Sequence, residues 1–211
     1  MKLLFVASDE MEFRGIRRRD DRLRFVSNGA GAHRAAAAVD AALAGFHPDA
    51  IVSMGFCGAL DPALAIADIV VGTTIFADGR AFAAQSPVTA APHRAGAICS
   101  IDHVAAAARE KRELRATGAI AVEMEAAGVA QRAQTLGVPF FCIKSVTDLA
   151  DETMANDFNA VLRSDGRFDT MKILASSLRR PWVRLPELFR LRRRCVLAAR
   201  SLGEFIADCR F

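Results

Sequence analysis

The run Pro139-Phe140-Phe141-Cys142-Ile143-Lys144 is bulky and apolar, and it gives way at once to Ser145-Val146-Thr147-Asp148. A short apolar run of this kind reads as a strand buried in a sheet, and such strands belong to folds in which helices cover the sheet. Ligands in those folds collect where the strands run out. Asp148 stands just past such an end. A second acidic group, Ala121-Val122-Glu123-Met124-Glu125-Ala126-Ala127-Gly128, opens an amphipathic segment. Acids placed this way are how an α/β enzyme brings charged groups into a cleft at the carboxyl edge of its sheet.

The rest of the chain fits that class. Leu3 to Ala7 and Leu23 to Ser27 read as strands, and Asn28-Gly29-Ala30-Gly31 turns into an alanine-rich helix from His33 to Ala44. Ala50 to Met54 is a buried-type strand followed by Gly55-Phe56-Cys57-Gly58-Ala59-Leu60, and Asp68 to Phe76 is a β-branched strand. Residues 77 to 95 are Ala, Pro, Gly and polar, and read as loop. Beyond them the pattern predicts a strand over 97–101, a helix over 104–114, a strand at 120–122, a helix over 124–136, a strand over 140–144 and two or three closing helices. Strands alternating with helices imply crossover connections. The expected fold is a single-domain, three-layer α/β/α sandwich around a mostly parallel, mixed sheet.

With 211 residues, 52% hydrophobic and 25% charged, the chain is long enough for one full core. The N-terminal apolar stretch is cut by Asp9, Glu10 and Glu12, no segment approaches a membrane span, and a cytoplasmic protein is expected. Five cysteines, Cys57, Cys99, Cys142, Cys195 and Cys209, form no CxxC pair and read as reduced core residues. His33, His47, His93 and His103 show neither metal-ligand spacing nor a nucleophile partner, so no metal is assigned. The net charge of +4 is local. Residues 179–194 hold seven arginines against Glu187, which leaves the remainder slightly acidic. Nucleic-acid binding loses its support on that ground.

Each candidate residue has a plain alternative. Asp148 beyond an apolar strand loses hydration and is suited to deliver a proton at neutral pH, or it caps the next helix. Glu123 and Glu125 are favoured at a helix start by the dipole, or one of them holds a pair of ligand hydroxyls. Of Asp9, Glu10 and Glu12, directly after the first strand, a glutamate takes a proton from water and directs the hydroxide, or these acids cap the next helix at the surface. Gly29, Gly31, Gly55 and Gly58 offer backbone N–H groups to an anion or sugar, or only serve tight turns.

Four segments resemble the nucleoside phosphorylase and nucleosidase superfamily, most closely its methylthioadenosine/S-adenosylhomocysteine nucleosidase branch: 1–12, 53–60 leading to Gly72, 121–126, and 138–151. The resemblance implies a phosphorylase/hydrolase-like fold and cleavage of the N-glycosidic bond of a purine (adenine) nucleoside. It implies that Asp148 protonates N7 of the base, that Glu12 activates water, and that Glu125 holds the ribose hydroxyls with Met124 on the sugar. Phe56, Cys57 and Gly58, with the backbone at Val104 and Ala105, would frame base and ribose. Lys144 stands where the family has an arginine, and Phe56 where it has a serine. No cofactor is implied, only phosphate as co-substrate if the chain is a phosphorylase, and a homo-oligomer is expected.

The final residues, with Asp165-Gly166-Arg167 and Leu185-Pro186-Glu187-Leu188-Phe189, resemble the hopanoid-associated phosphorylase branch, which implies removal of adenine from an adenosylated hopanoid precursor. The chain divides accordingly into a catalytic domain over 1–178 and a basic amphipathic helical extension of it over 179–211. The extension either lies at an anionic membrane surface, as a peripheral contact, or docks on the protein's own body with its arginines in water. Hydrolysis needs only Glu12 and a water, so a nucleosidase is the leading expectation. A phosphate-dependent phosphorylase is the alternative, and a non-catalytic nucleoside- or lipid-binding protein is the rival from another class.

Overall fold

The computed structural model describes residues 1–16 and 20–211. In chain order the strands and helices are β1 (Leu3–Ala7), β2 (Leu23–Ser27), α1 (Ala32–Leu43), β3 (Ala50–Ala59), β4 (Ile69–Ala77), β5 (Arg80–Ala83), β6 (Arg94–Ser100), α2 (Ala108–Arg115), β7 (Ala119–Glu123), α3 (Ala126–Leu136), β8 (Phe140–Asp148), α4 (Thr170–Ser177) and α5 (Pro181–Asp208). They form an α/β fold around one mixed sheet of eight strands.

β1 lies parallel to β2 and β3, and β3 runs parallel to β8 along most of its length. β8 is antiparallel to β4, β4 is parallel to β6, and β6 is parallel to β7. β7 then returns antiparallel to the end of β3, pairing Gly58 with Val122 and Ala59 with Ala121. Five strands thus close a circuit, and β3 is the hinge of the topology. Its first part pairs with β1 up to Ser53, and its last residues pair with β7 from Gly58. Between those limits its edge is free to face a ligand, which is the switch-point geometry of α/β sheets.

Helices cover both faces. The alanines of α1 and α3 (Ala35, Ala38, Ala42, Ala130, Ala133) let these helices lie close to one another and to Leu4, Val6, Ile51 and Phe140. On the opposite face Leu202, Phe205 and Ile206 of α5 pack on Leu3, Phe5, Val52 and Ile143. The C-terminal half of α5 is therefore a layer of the core, docked on the sheet. The apolar stripe expected along it is split: Leu202 and Ile206 are buried, whereas Phe189 and Val196 are exposed.

Several boundaries differ from the pattern. Residues 77–95, expected as loop, contain β5 and the first residues of β6. A short hairpin strand pairing Arg80–Ala83 with Thr74–Ala77 needs little apolar sequence, because it is an edge strand with one buried residue, Phe82. The Gly55–Gly58 segment is not a turn. β3 runs through it. Helix α2 begins at Ala108, so Val104 and Ala105 lie in the preceding loop, and β8 extends to Asp148 itself.

Candidate active site

Glu12 sits on the short 3-10 turn Glu10–Phe13 after β1, closed by a capping box with Asp9. Its Oε2 accepts from the Ser8 N–H at 2.8 Å, the Asp9 N–H at 3.1 Å and the Ser8 hydroxyl at 3.1 Å, and its Oε1 accepts from the Phe56 N–H at 3.0 Å. The same side chain thus closes its own turn and reaches across to β3. That last bond lies in the gap where β3 has left β1 and not yet met β7. Gly55 makes the approach feasible: at φ 138°, a Cβ there would stand 2.6 Å from Glu12 Oε1. Gly58 does the same for Asp148, whose Oδ2 would be 2.7 Å from a Cβ. These two glycines clear room for carboxylates.

Glu123 ends β7 and accepts from the Glu125 and Ala126 N–H groups, each at 2.9 Å, so it anchors the first turn of α3. Glu125 accepts from the Gly31 N–H at 3.1 Å, which ties it to the entry of α1. Lys144, fully buried on β8, lies 2.8 Å from Glu123 Oε2 and 3.8 Å from Glu125 Oε2. Asp148 ends β8. Its Oδ2 is bonded to the ammonium group of Lys111, and its Oδ1 lies 3.1 Å from the Thr147 hydroxyl. It caps no helix; Glu152, not Asp148, accepts the Leu149 N–H.

The electrostatics follow from burial and from how few cations are shared. Burial raises Glu12, and the Lys144 charge only partly opposes it. Burial also pushes Glu125 up, to about 8, with the neighbouring Glu123 and Glu12 charges adding to it against Lys144. Burial acts upward on Glu123 too, but the charge and hydrogen bond of Lys144 outweigh it and hold this acid below the usual range. Lys144, for its part, is held protonated against burial by the carboxylates around it. Asp148 is raised by burial, with Lys111 pulling the other way.

A cavity of about 530 Å³ opens where these groups meet, and Glu12, Glu123, Glu125 and Asp148 all line it. The sequence profile of the Phosphorylase superfamily matches residues 20–168. The chain belongs to that superfamily. It is 30% identical over 146 residues, 56% of its length, to the 5′-methylthioadenosine/S-adenosylhomocysteine nucleosidase of Staphylococcus saprophyticus, and the match spans 64% of that relative. The fold matches the futalosine hydrolase of Helicobacter pylori with a TM-score of 0.71 at 14% identity, covering 99% of this chain and 96% of the other. It also matches the Neisseria meningitidis 5′-methylthioadenosine/S-adenosylhomocysteine nucleosidase, solved in complex with methylthio-immucillin-A, with a TM-score of 0.68 at 20% identity and coverage of 97% and 98%.

Of the residues singled out in the sequence, Glu12, Phe56, Cys57, Gly58, Val104, Ala105, Met124, Glu125 and Asp148 all border this one cavity in the superfamily fold. Lys144 does not. It is sealed behind Glu123 and Glu125 and supports the wall without forming it, because β8 at that point runs through the middle of the sheet.

Other contributors were not legible in the sequence. Lys111 sits in an eight-residue helix dominated by charge, where only its spacing of three residues from both Ala108 and Leu114 sets it apart from Arg109, Arg112 and Arg115. The outer wall comes from Met154, Phe158, Phe168, Ile173, Leu188 and Leu191, on elements far apart in the chain. Glu187 of α5 is buried and accepts from the Ala155 and Asn156 N–H groups at 2.7 and 2.8 Å, and Arg194 pairs with Glu152 at 2.6 Å. The loop after β8 is thereby fixed to α5. The apolar spacing of Leu188 and Leu191 was the one available signal, and it does not say what a helix faces.

Proposed function

We propose that this chain hydrolyses the N-glycosidic bond of an adenine nucleoside. The observation that carries the reading is the convergence of Glu12, Glu125 and Asp148 on one cavity. Asp148, raised by burial, gives its proton to N7 of the base as the C1′–N9 bond breaks, so the base leaves neutral. The ribosyl carbon becomes cationic beside Glu12 and Glu123, whose carboxylates are fixed in advance by backbone N–H groups and stabilise that charge as it forms. Glu12 takes a proton from water while its oxygen bonds to C1′. Glu125 faces the ribose hydroxyls. The atoms required are those of the nucleoside, one water and the chain's own carboxyl groups.

Water is favoured over phosphate by the same geometry. The N–H groups of Ser8, Asp9 and Phe56 form a nest suited to an anion, and the Glu12 carboxylate already occupies it. A phosphate dianion would meet that carboxylate. Incubation of the protein with adenine nucleosides, with and without phosphate, tests this: free adenine and ribose are expected in both, and phosphate-dependent ribose 1-phosphate would overturn it. The apolar outer wall further fits a nucleoside with an apolar 5′ group. Methylthioadenosine and a lipid-linked adenosine are expected to outperform adenosine and inosine in released base.

A peripheral membrane contact is a second part of the proposal, favoured by α4 and α5. Trp182, Phe189 and Val196 follow one stripe of α5 at 91%, 72% and 50% exposure, and Met171 and Leu178 stand out at 76% and 70%. Arg190, Arg192 and Arg193 flank the stripe in solvent. This pairing of exposed apolar groups with arginines suits an anionic lipid surface, and the inner sides of both helices wall the cavity. Trp182 is the sole tryptophan of the chain. Its emission is expected to shift to the blue on anionic vesicles and to stay unchanged on zwitterionic ones; no shift on either would sink the membrane contact.

A further inference from the structure

We propose that Lys111 is the positioning residue of the proton-transfer step: its ammonium group fixes Asp148 against the cavity wall and stands ready to hold the carboxylate that proton transfer leaves behind. The inference rests on the reading of Asp148 as the acid that protonates the leaving base.

Lys111 has no exposed surface and takes no part in lining the cavity, so of its two partners it reaches the cavity through Asp148. Its Nζ bonds to Asp148 Oδ2 and donates to the Leu149 carbonyl at 2.8 Å. The other basic residues of α2, Arg109, Arg112 and Arg115, all point to solvent. Burying a lysine is costly unless its charge is matched, and packing alone at this position would be met by a methionine of similar length. The partner that matches it is Asp148.

The surroundings leave Lys111 as the one cation in contact with that carboxyl group among the described residues. Thr147 offers a hydroxyl to Oδ1, Cys57 faces it from β3, and Glu152 lies beyond the strand end. On α5, Arg194 is spent on Glu152 through two bonds of 2.6 and 2.8 Å, and Cys195 is an un-ionised thiol held up by burial. When the Asp148 O–H bond breaks and the N7–H bond forms, the electron pair stays on a carboxylate whose Oδ2 is already bonded to Lys111. The cost of making a buried carboxylate is reduced at the moment it is made. After the base departs, solvent returns a proton to Asp148.

Burial and Lys111 act on Asp148 in opposite directions, so removing the lysine leaves burial unopposed and the acid holds its proton to higher pH. The test is the titration of the Asp148 carboxyl C=O infrared band, identified by its loss in Asp148→Asn, in the wild type, Lys111→Met and Lys111→Arg. Loss of the band is expected to move up by about one to three pH units in Lys111→Met, the range for losing an adjacent opposite charge, and to stay in place in Lys111→Arg. In adenine release, the alkaline limb of kcat/KM should move by the same amount in Lys111→Met while kcat falls by about tenfold or more. An unchanged titration in Lys111→Met overturns the proposal, even if its thermal stability drops, since that is all a packing role would alter. Should Lys111→Met not fold, Lys111→Gln, which keeps a donor for the Leu149 carbonyl, carries the same measurement with the same expected shift. If the wild type releases no base from any nucleoside, the functional reading fails, while the infrared titration still decides the part played by Lys111.

Discussion

Two lysines are sealed inside this protein, and they serve their carboxylates differently. Lys144, in the middle of the sheet, lies among Glu12, Glu123 and Glu125, so one positive charge answers three acids. Lys111, on a short helix, answers Asp148 alone. The shared cation satisfies Glu123 and leaves Glu125 raised to about 8 and Glu12 raised as well. The dedicated cation offsets burial at a single acid. On the reading proposed above, the sugar side of the cavity is an acidic cluster that favours a cation in its midst, and the base side is a balanced pair suited to passing one proton. A cavity with both sides equally charged would do neither.

The largest effect expected on the base side is that of Asp148→Asn, which keeps shape and removes the transferable proton. It should lower kcat for adenine release by roughly 10²- to 10⁴-fold and, because it leaves the buried Lys111 without its matching charge, lower the unfolding midpoint as well; a variant retaining wild-type rate would break the distinction between the two sides. On the sugar side, Lys144→Met should act first on stability. It strands Glu123 among buried groups, and breaking such a pair costs about 3–5 kcal/mol, measurable as a lower denaturant midpoint. A Lys144→Met protein as stable as the wild type would mean that the cluster does not depend on its shared cation.

A smaller effect sharpens the account of Glu125. Its value in the folded protein, about 8, lies above the usual 4.5, so the native state holds this proton more tightly than the unfolded chain does. That contribution is complete below about 4.5 and is lost as pH rises toward about 8. Stability should fall across this window, and Glu125→Gln should flatten the fall in denaturant midpoints recorded at successive pH values. The residual slope belongs to Glu12 and Asp148, which are raised in the same sense.

The smallest effect concerns the rim. Glu152 is held down to about 2 by its hydrogen bonds to Arg194, so its contribution is present above its usual 4.5 and is lost as pH falls toward about 2. The pair is half-buried at the rim, where solvent still screens it. Glu152→Gln should cost only ~0.2–1 kcal/mol near neutral pH, read from the same midpoints, and nothing further in acid.

How legible these two sides were in the sequence differs in the same way as their chemistry. Glu12, Glu125 and Asp148 stand at ends of apolar strands, where period and composition change together, and that edge is where a parallel sheet exposes charged groups. Lys144 was visible for the same reason, yet its place behind the wall was not, since an apolar strand does not reveal which of its neighbours seals it. Lys111 had only a faint signal, its place three residues from both Ala108 and Leu114: on a short helix rich in charge, what an inward-turned residue meets depends on what lies beneath. The hairpin strand β5 was missed because an edge strand needs little apolar sequence.

By itself the sequence determined the class of fold and pointed to acids that line its cavity, because buried strands must be apolar and their ends are where charge can return to the chain. The tertiary structure alone decided that β3 parts from β1 before it meets β7, that Glu12 enters the gap and takes the Phe56 N–H, and that α2 turns a lysine under Asp148. Each of those outcomes joins segments distant along the chain, and no local pattern encodes the space between two strands that have yet to pair.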